Sequence, residues 1–141
     1  MKFKKLASIL MISALFLTGC TPSNSGKTDE ESASNETIKV VAGSVASAQV
    51  LDSIGAEVVG IPTTKLELPE SLKGLPEIGQ SMSPDLEKVA SLTPDVFVMD
   101  NMFKEKVEES MKEYDLNTFF FDTTTYSNFL TSIEQLGEEV G

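Results

Sequence analysis

The stretch Ile38-Lys39-Val40-Val41-Ala42-Gly43-Ser44-Val45-Ala46-Ser47-Ala48-Gln49-Val50-Leu51-Asp52-Ser53-Ile54-Gly55-Ala56-Glu57-Val58-Val59-Gly60-Ile61 decides the fold. Its first five residues are a β-branched run closed by Gly43-Ser44, which reads as a strand. Ser47, Val50, Leu51 and Ile54 then recur at helical spacing, with Gly55 as a stop. Val58 to Ile61 is a second β-branched run, ended by Pro62.

The alternation continues outward from this unit. Leu66 to Gln80 holds two prolines and two glycines and reads as irregular, with a short strand at Glu77-Ile78. Ser83 is the expected N-cap of the next helix, with Pro84 in its first position and Asp85 in its first turn. That helix carries Leu86, Val89 and Ala90 and stops before Thr93-Pro94. Asp95 to Asp100 is a third strand. Phe103, Val107, Met111 and Tyr114 mark one face of a helix, and Thr118 to Phe121 a further strand. Phe129, Leu130, Ile133, Leu136, Gly137 and Val140 mark a last helix. Strands separated by helices imply a parallel α/β sheet with right-handed crossovers, a Rossmann-like lobe.

Composition narrows what such a lobe can do. The chain has 141 residues, 22 acids, 11 lysines and neither arginine nor histidine, for a net charge of −11. Without histidine there is no Ser-His-Asp triad and no His-ligated zinc site within these residues. The acidic balance argues against nucleic acid as a partner, because phosphate binding needs a basic footprint. One cysteine excludes an internal disulfide framework.

That cysteine has a context. Lys2, Lys4 and Lys5 precede an apolar run, Leu6–Leu17, of 12 residues. A spanning helix needs about 20, so the run reads as the core of a signal peptide covering residues 1–19. Leu17-Thr18-Gly19-Cys20 resembles a bacterial lipobox, which implies cleavage before Cys20 and a lipid on its thiol. An ordinary secretory leader is the plainer alternative. Two acyl chains suffice for stable anchoring. Removal of the leader takes away three lysines and no acid, which moves the net charge from −11 to −14. Thr21 to Glu36 is polar and coreless and reads as a tether, so residues 20–36 form a lipidated, solvated leash. Its sixteen flexible residues reach roughly 20–24 Å. Residues 37–141 remain as the folded lobe, long enough for one core.

In a parallel sheet ligands bind beyond the carboxyl ends of the strands. That edge collects Gly43–Ser47, Pro62–Lys65, Gly79–Ser83, Asp100–Phe103 and Asp122–Tyr126. Asp100 and Asp122 each end a strand; paired acids hold metals or move protons, whereas single ones cap and turn. The amides that follow Gly43-Ser44 suit an anionic group. Thr63, Thr64 and Lys65 offer hydroxyls and an ammonium, as a solvated loop or a carboxylate clamp. Met82 is a large apolar residue in the polar stretch Gly79-Gln80-Ser81-Met82-Ser83-Pro84-Asp85. It reads as a staple on Glu87, as filler against Leu86 or Ala90, or as a soft thioether ligand for haem iron or copper.

The lipobox, tether and βα lobe resemble the class III substrate-binding lipoproteins of ABC importers, which serve haem, siderophores and cobalamin. More narrowly, Val45-Ala46, Gly60-Ile61-Pro62-Thr63-Thr64, Leu68-Pro69, Pro76-Glu77-Ile78-Gly79-Gln80, Met82, Pro84, Leu92-Thr93-Pro94 and Gln135-Leu136-Gly137 are similar to the haem-receptor lipoproteins of the iron-regulated surface determinant (Isd) type. The resemblance covers the whole chain but about half of that family's length. It implies the amino-terminal half of a bilobal fold, with the second lobe missing as a fragment or truncated frame. It also implies haem as transported ligand, Met82 as axial ligand to its iron, and Val45, Ala46, Thr64 and Lys65 as haem contacts. The second of the paired positions, Lys65, departs from the aromatic residue found in the family. A histidine of the second lobe completes the coordination in the family.

Further expectations follow from the resemblance. Glu87 matches an acid that docks on the ABC permease; its plain reading is a first-turn acid favoured by the helix dipole. Cell-wall haem donor proteins are upstream partners, and the location is the extracytoplasmic face of a Gram-positive cell membrane, held by the Cys20 lipid. No chemistry is performed. The competing readings are a siderophore- or cobalamin-binding lipoprotein of the same class, and a metal-dependent enzyme or receiver-like domain using Asp100 and Asp122. The absence of arginine weighs against anionic siderophores.

Overall fold

The computed structural model describes residues 37–141. The expected leader, Cys20 and the tether lie outside them.

Strand β1 (Lys39–Ala42) leads through Gly43 into helix α1 (Val45–Ser53) and strand β2 (Glu57–Gly60). A single 3-10 turn, Glu70–Leu72, precedes a small hairpin of β3 (Gly79–Gln80) and β4 (Ser83–Pro84). Helix α2 (Leu86–Ser91), strand β5 (Val96–Asp100), helix α3 (Lys104–Glu113), strand β6 (Thr118–Phe121) and helix α4 (Tyr126–Val140) complete the order. The main sheet runs β2-β1-β5-β6, and every pairing within it is parallel.

Both faces of the sheet are covered, so its strands read as continuous apolar runs. All five residues of β5 are buried. Val40, Ala42, Val96 and Val98 pack with Ala48 and Leu51 of α1 and Leu136 of α4 on one face. Val41, Phe97 and Met99 pack with Val89 of α2 and Val107 and Met111 of α3 on the other. Complete burial of Phe97 and Phe121 stabilises the lobe by about 1.5–3 kcal/mol each. Gly43 lies where β1 and β5 come close. A Cβ there would collide with Met99 Sδ and stand 3.0 Å from the Val98 carbonyl oxygen.

The structure departs from expectation between residues 76 and 86. Asp85, not Ser83, caps α2: its carboxylate accepts the Lys88 N–H at 3.2 Å. Ser83-Pro84 is instead a strand antiparallel to Gly79-Gln80. The physical reason is pairing. The Asp85 N–H donates to the Ile78 carbonyl at 2.7 Å, which holds the chain extended through Pro84. The short strand expected at Glu77-Ile78 is a lone parallel bridge between Glu77 and Ile61, and the named strand begins at Gly79. Gly79 takes φ +93°, a conformation that favours glycine, where this strand turns into the hairpin.

Candidate functional site

Helix α1 follows β1 onto one face of the sheet, while α2 and α3 lie on the other. The winding therefore reverses between the neighbouring strands β1 and β5. A crevice opens at the carboxyl ends of such a pair, and it is where open α/β sheets hold ligands. Gly43–Ala46 borders it on one side and Asp100–Phe103 on the other.

The α1 end of the crevice is built by two serines. The Ser44 N–H donates to Ser47 Oγ at 3.0 Å, and the Ser47 N–H donates to Ser44 Oγ at 3.1 Å. A helix begins with N–H groups that have no acceptor inside it. This reciprocal capping box consumes two of them and leaves those of Val45 and Ala46. Both residues are half-buried. Their amides sit at the positive end of a nine-residue helix, a setting that favours a carboxylate or phosphate.

Thr64 and Lys65 follow β2. The Thr64 hydroxyl accepts the Leu66 N–H at 3.0 Å, and Lys65 is exposed. Lys65 takes part in neither of the two ion pairs among the described residues. The chain from Pro76 to Gly79 runs beside this segment. Ile61 N–H donates to Pro76 O, Ile78 N–H to Ile61 O and Thr63 N–H to Gly79 O, at 2.9, 2.9 and 2.8 Å. That ladder aims the hairpin past the carboxyl edge of β2, and Ser81-Met82 is its tip.

Met82 is 62% exposed there. This overturns two of its three sequence readings. Filler against Leu86 or Ala90 would be buried, and a staple needs a residue directly before the cap, which is now Asp85. The thioether is presented to solvent on a two-strand stalk. Glu87, by contrast, lies exposed in the first turn of α2, a short helix on the other side of the hairpin from the crevice residues in sequence.

The two aspartates part company. Asp100 is buried, and one of its carboxylate oxygens has no hydrogen-bond partner. Burial pushes its carboxyl above the ordinary range, and the Ser44 hydroxyl offsets part of that rise. Asp122 behaves as a turn residue. It accepts the Thr124 hydroxyl at 2.6 Å, the Thr124 N–H at 2.8 Å and an Asn128 side-chain N–H at 3.0 Å. The Thr124 bonds foremost hold its carboxyl below the ordinary range. No group of three or more metal-ligating acids or thiols exists among the described residues.

Comparison with known proteins fits this geometry. The sequence profile described as periplasmic binding protein matches residues 40–141. The chain belongs to the periplasmic binding protein family. Among curated relatives, the high-affinity heme uptake system protein IsdE of Staphylococcus aureus strain Newman is 32% identical over 139 residues. That alignment covers 99% of this chain and 46% of the relative, so the chain spans about half the length of the curated relatives it matches.

Solved structures of the family superpose on this lobe. An ABC transporter substrate-binding protein from Listeria monocytogenes EGD-e matches with a TM-score of 0.72 and 30% identity, covering 74% of this chain and 41% of that one. IsdE of S. aureus complexed with heme gives 0.69 and 31%, covering 72% and 40%. The matched periplasmic binding proteins are substrate-binding components of ABC transporters rather than enzymes, which removes the enzyme reading of Asp100 and Asp122. Each neighbour is longer than this chain, so what the described residues form is a partial lobe of the family's α/β fold.

Proposed function

We propose that this chain is the amino-terminal lobe of a haem-binding lipoprotein of an ABC importer, which captures haem and passes it to a permease. The observation that carries the reading is the exposed Met82 thioether, held beyond the same sheet edge at which the Val45 and Ala46 amides lack partners. A thioether is a soft ligand suited to haem iron, and two free amides at a helix N-terminus suit a haem propionate. Thr64 and Lys65 flank the face on the β2 side. A histidine from a second lobe completes the iron's coordination in this reading.

The remaining roles follow. Residues 1–19 are a lipoprotein signal peptide, Cys20 carries the lipid, and residues 20–36 tether the 37–141 lobe to the extracytoplasmic face of a Gram-positive cell membrane. Glu87 faces the permease, and cell-wall haem donors stand upstream. A Cys20→Ala change abolishes labelling by radioactive palmitate; retained label removes the anchor from this account.

The ligand assignment has a direct test. Haem added to the chain gives a Soret band, and Met82→Ala shifts that band and weakens the titration at least tenfold. A ferric siderophore or a corrinoid that binds in place of haem, with no Soret change on adding haem, transfers the protein to the alternative reading.

A further inference from the structure

Seven large apolar side chains are exposed among the described residues, and their distribution is uneven. Leu66, Met82, Met102 and Tyr126 are 67%, 62%, 73% and 78% exposed; Ile54, Tyr114 and Leu130 lie between 37% and 43%. The four most exposed occupy four different segments that follow strands. Leu66 lies in the loop after β2, Met82 at the hairpin tip, Met102 in the 3-10 turn Asn101–Phe103 after β5, and Tyr126 at the first residue of α4 after β6. All four segments leave the carboxyl edge of one sheet.

Single exposed apolar residues need no explanation, but a row of them marks a binding surface. The strand order β2-β1-β5-β6 sets Leu66 and Tyr126 at its two ends and Met102 between them, beside the crevice. Three inter-strand spacings of about 4.8 Å separate those ends, roughly 14 Å in all. The β1 position in the row carries no large side chain; it carries the unpartnered amides of Val45 and Ala46. The pattern is an apolar plane interrupted by one anion-binding point, complementary to a flat, apolar macrocycle with a carboxylate on its edge. Lys65 borders the row at β2, and Lys104, 5.1 Å from the Phe120 ring centroid, borders it between β5 and β6.

Resting on the function proposed above, we infer that Leu66, Met102 and Tyr126 recognise the face of the macrocycle itself, irrespective of its metal, and that Met82 alone on this lobe recognises the iron. Recognition is thereby divided between a metal-blind platform and one metal-reading thioether.

The division is tested by titrating the 141-residue chain with haem and with metal-free protoporphyrin IX, followed by absorbance and porphyrin fluorescence. Met102→Ala and Tyr126→Ala weaken binding of both ligands by a similar factor, roughly three- to tenfold each, as expected for lost apolar contact area. Met82→Ala weakens haem and leaves protoporphyrin unchanged. Leu130→Ala, an exposed apolar residue away from the row, changes neither. Haem binding that survives Met102→Ala and Tyr126→Ala at full strength overturns the platform while the haem-binding reading stands. A Met102→Ala effect on haem alone makes Met102 an iron ligand and also overturns it. Self-association abolished by the same variants, with both affinities intact, assigns the row to a second copy of the chain and overturns it too. A parent chain that binds neither ligand overturns both readings. The positions are exposed, and unchanged thermal midpoints show that the variants fold.

Discussion

Ser44 and Ser47 cap each other: each backbone N–H donates to the other's hydroxyl, at 3.0 and 3.1 Å, and both residues are buried. The pair closes the start of α1 with its own side chains and leaves the two intervening amides unspent. Ser44→Ala removes a cap and costs about 1 kcal/mol. Ser47→Ala strands the buried Ser44 N–H and costs roughly 1–3 kcal/mol. Because the residues share one network, the double variant loses less than the sum of the two. Urea denaturation of the four proteins measures the coupling; strict additivity removes the reciprocal box.

The cap of α2 is tested by contrast. Asp85→Ala costs about 1 kcal/mol, because its carboxylate accepts the Lys88 N–H. Ser83→Ala, at the exposed residue that the sequence pattern favours, stays within about 0.5 kcal/mol. The reverse order of effects in denaturant midpoints returns the cap to Ser83.

Asp100 and Asp122 give opposite pH signatures. Burial raises the folded-state pKa of Asp100 above its ordinary 3.8, so the folded protein holds that proton more tightly than the unfolded chain. Stability is therefore lost as pH rises from near 3.8 through the raised folded value, and the loss persists above it. Asp100→Asn abolishes this decline and raises stability at neutral pH. Asp122, lowered by its Thr124 bonds, contributes stability present above 3.8 and lost as pH falls. Asp122→Asn therefore flattens the acid limb instead. Unfolding midpoints across pH 3 to 8, on the order of one unit per step around the reference values, check both signs.

Phe121 ends β6 fully buried and meets Phe129 of α4 edge to face, with ring centroids 5.5 Å apart. Phe121→Ala costs about 3–5 kcal/mol, whereas Phe121→Leu keeps most of the volume and costs less. Equal destabilisation by the two, in thermal or chemical unfolding, removes packing as the cause.

Much of the fold is legible because its strands are buried on both faces and announce themselves as unbroken β-branched or aromatic runs. Val40-Val41, Val58-Val59 and Val96-Phe97-Val98 all read correctly for that reason. The hairpin at Gly79–Pro84 does not, because it is made by partners far along the chain. Ile61 and Thr63 supply the ladder that fixes it, and local capping rules alone favour Ser83 over Asp85. The candidate site divides in the same way. Met82 stands out as apolar in a polar stretch, and the free amides follow from Gly43-Ser44. Met102 and Tyr126 carry no such contrast, since each adjoins another aromatic or apolar residue. Their exposure emerges only once Phe103 and Phe129 turn inward.

The stalk that carries Met82 has a consequence for how such a lobe diversifies. Ser81 and Met82 close a turn outside the four-stranded sheet, while the ladder from Pro76 to Gly79 ties the base of the stalk to Ile61 and Thr63. Folding thus constrains the base and leaves the tip unconstrained. A change of side chain at position 82 alters what the lobe presents without touching either core, so selection can retune this one residue independently of stability.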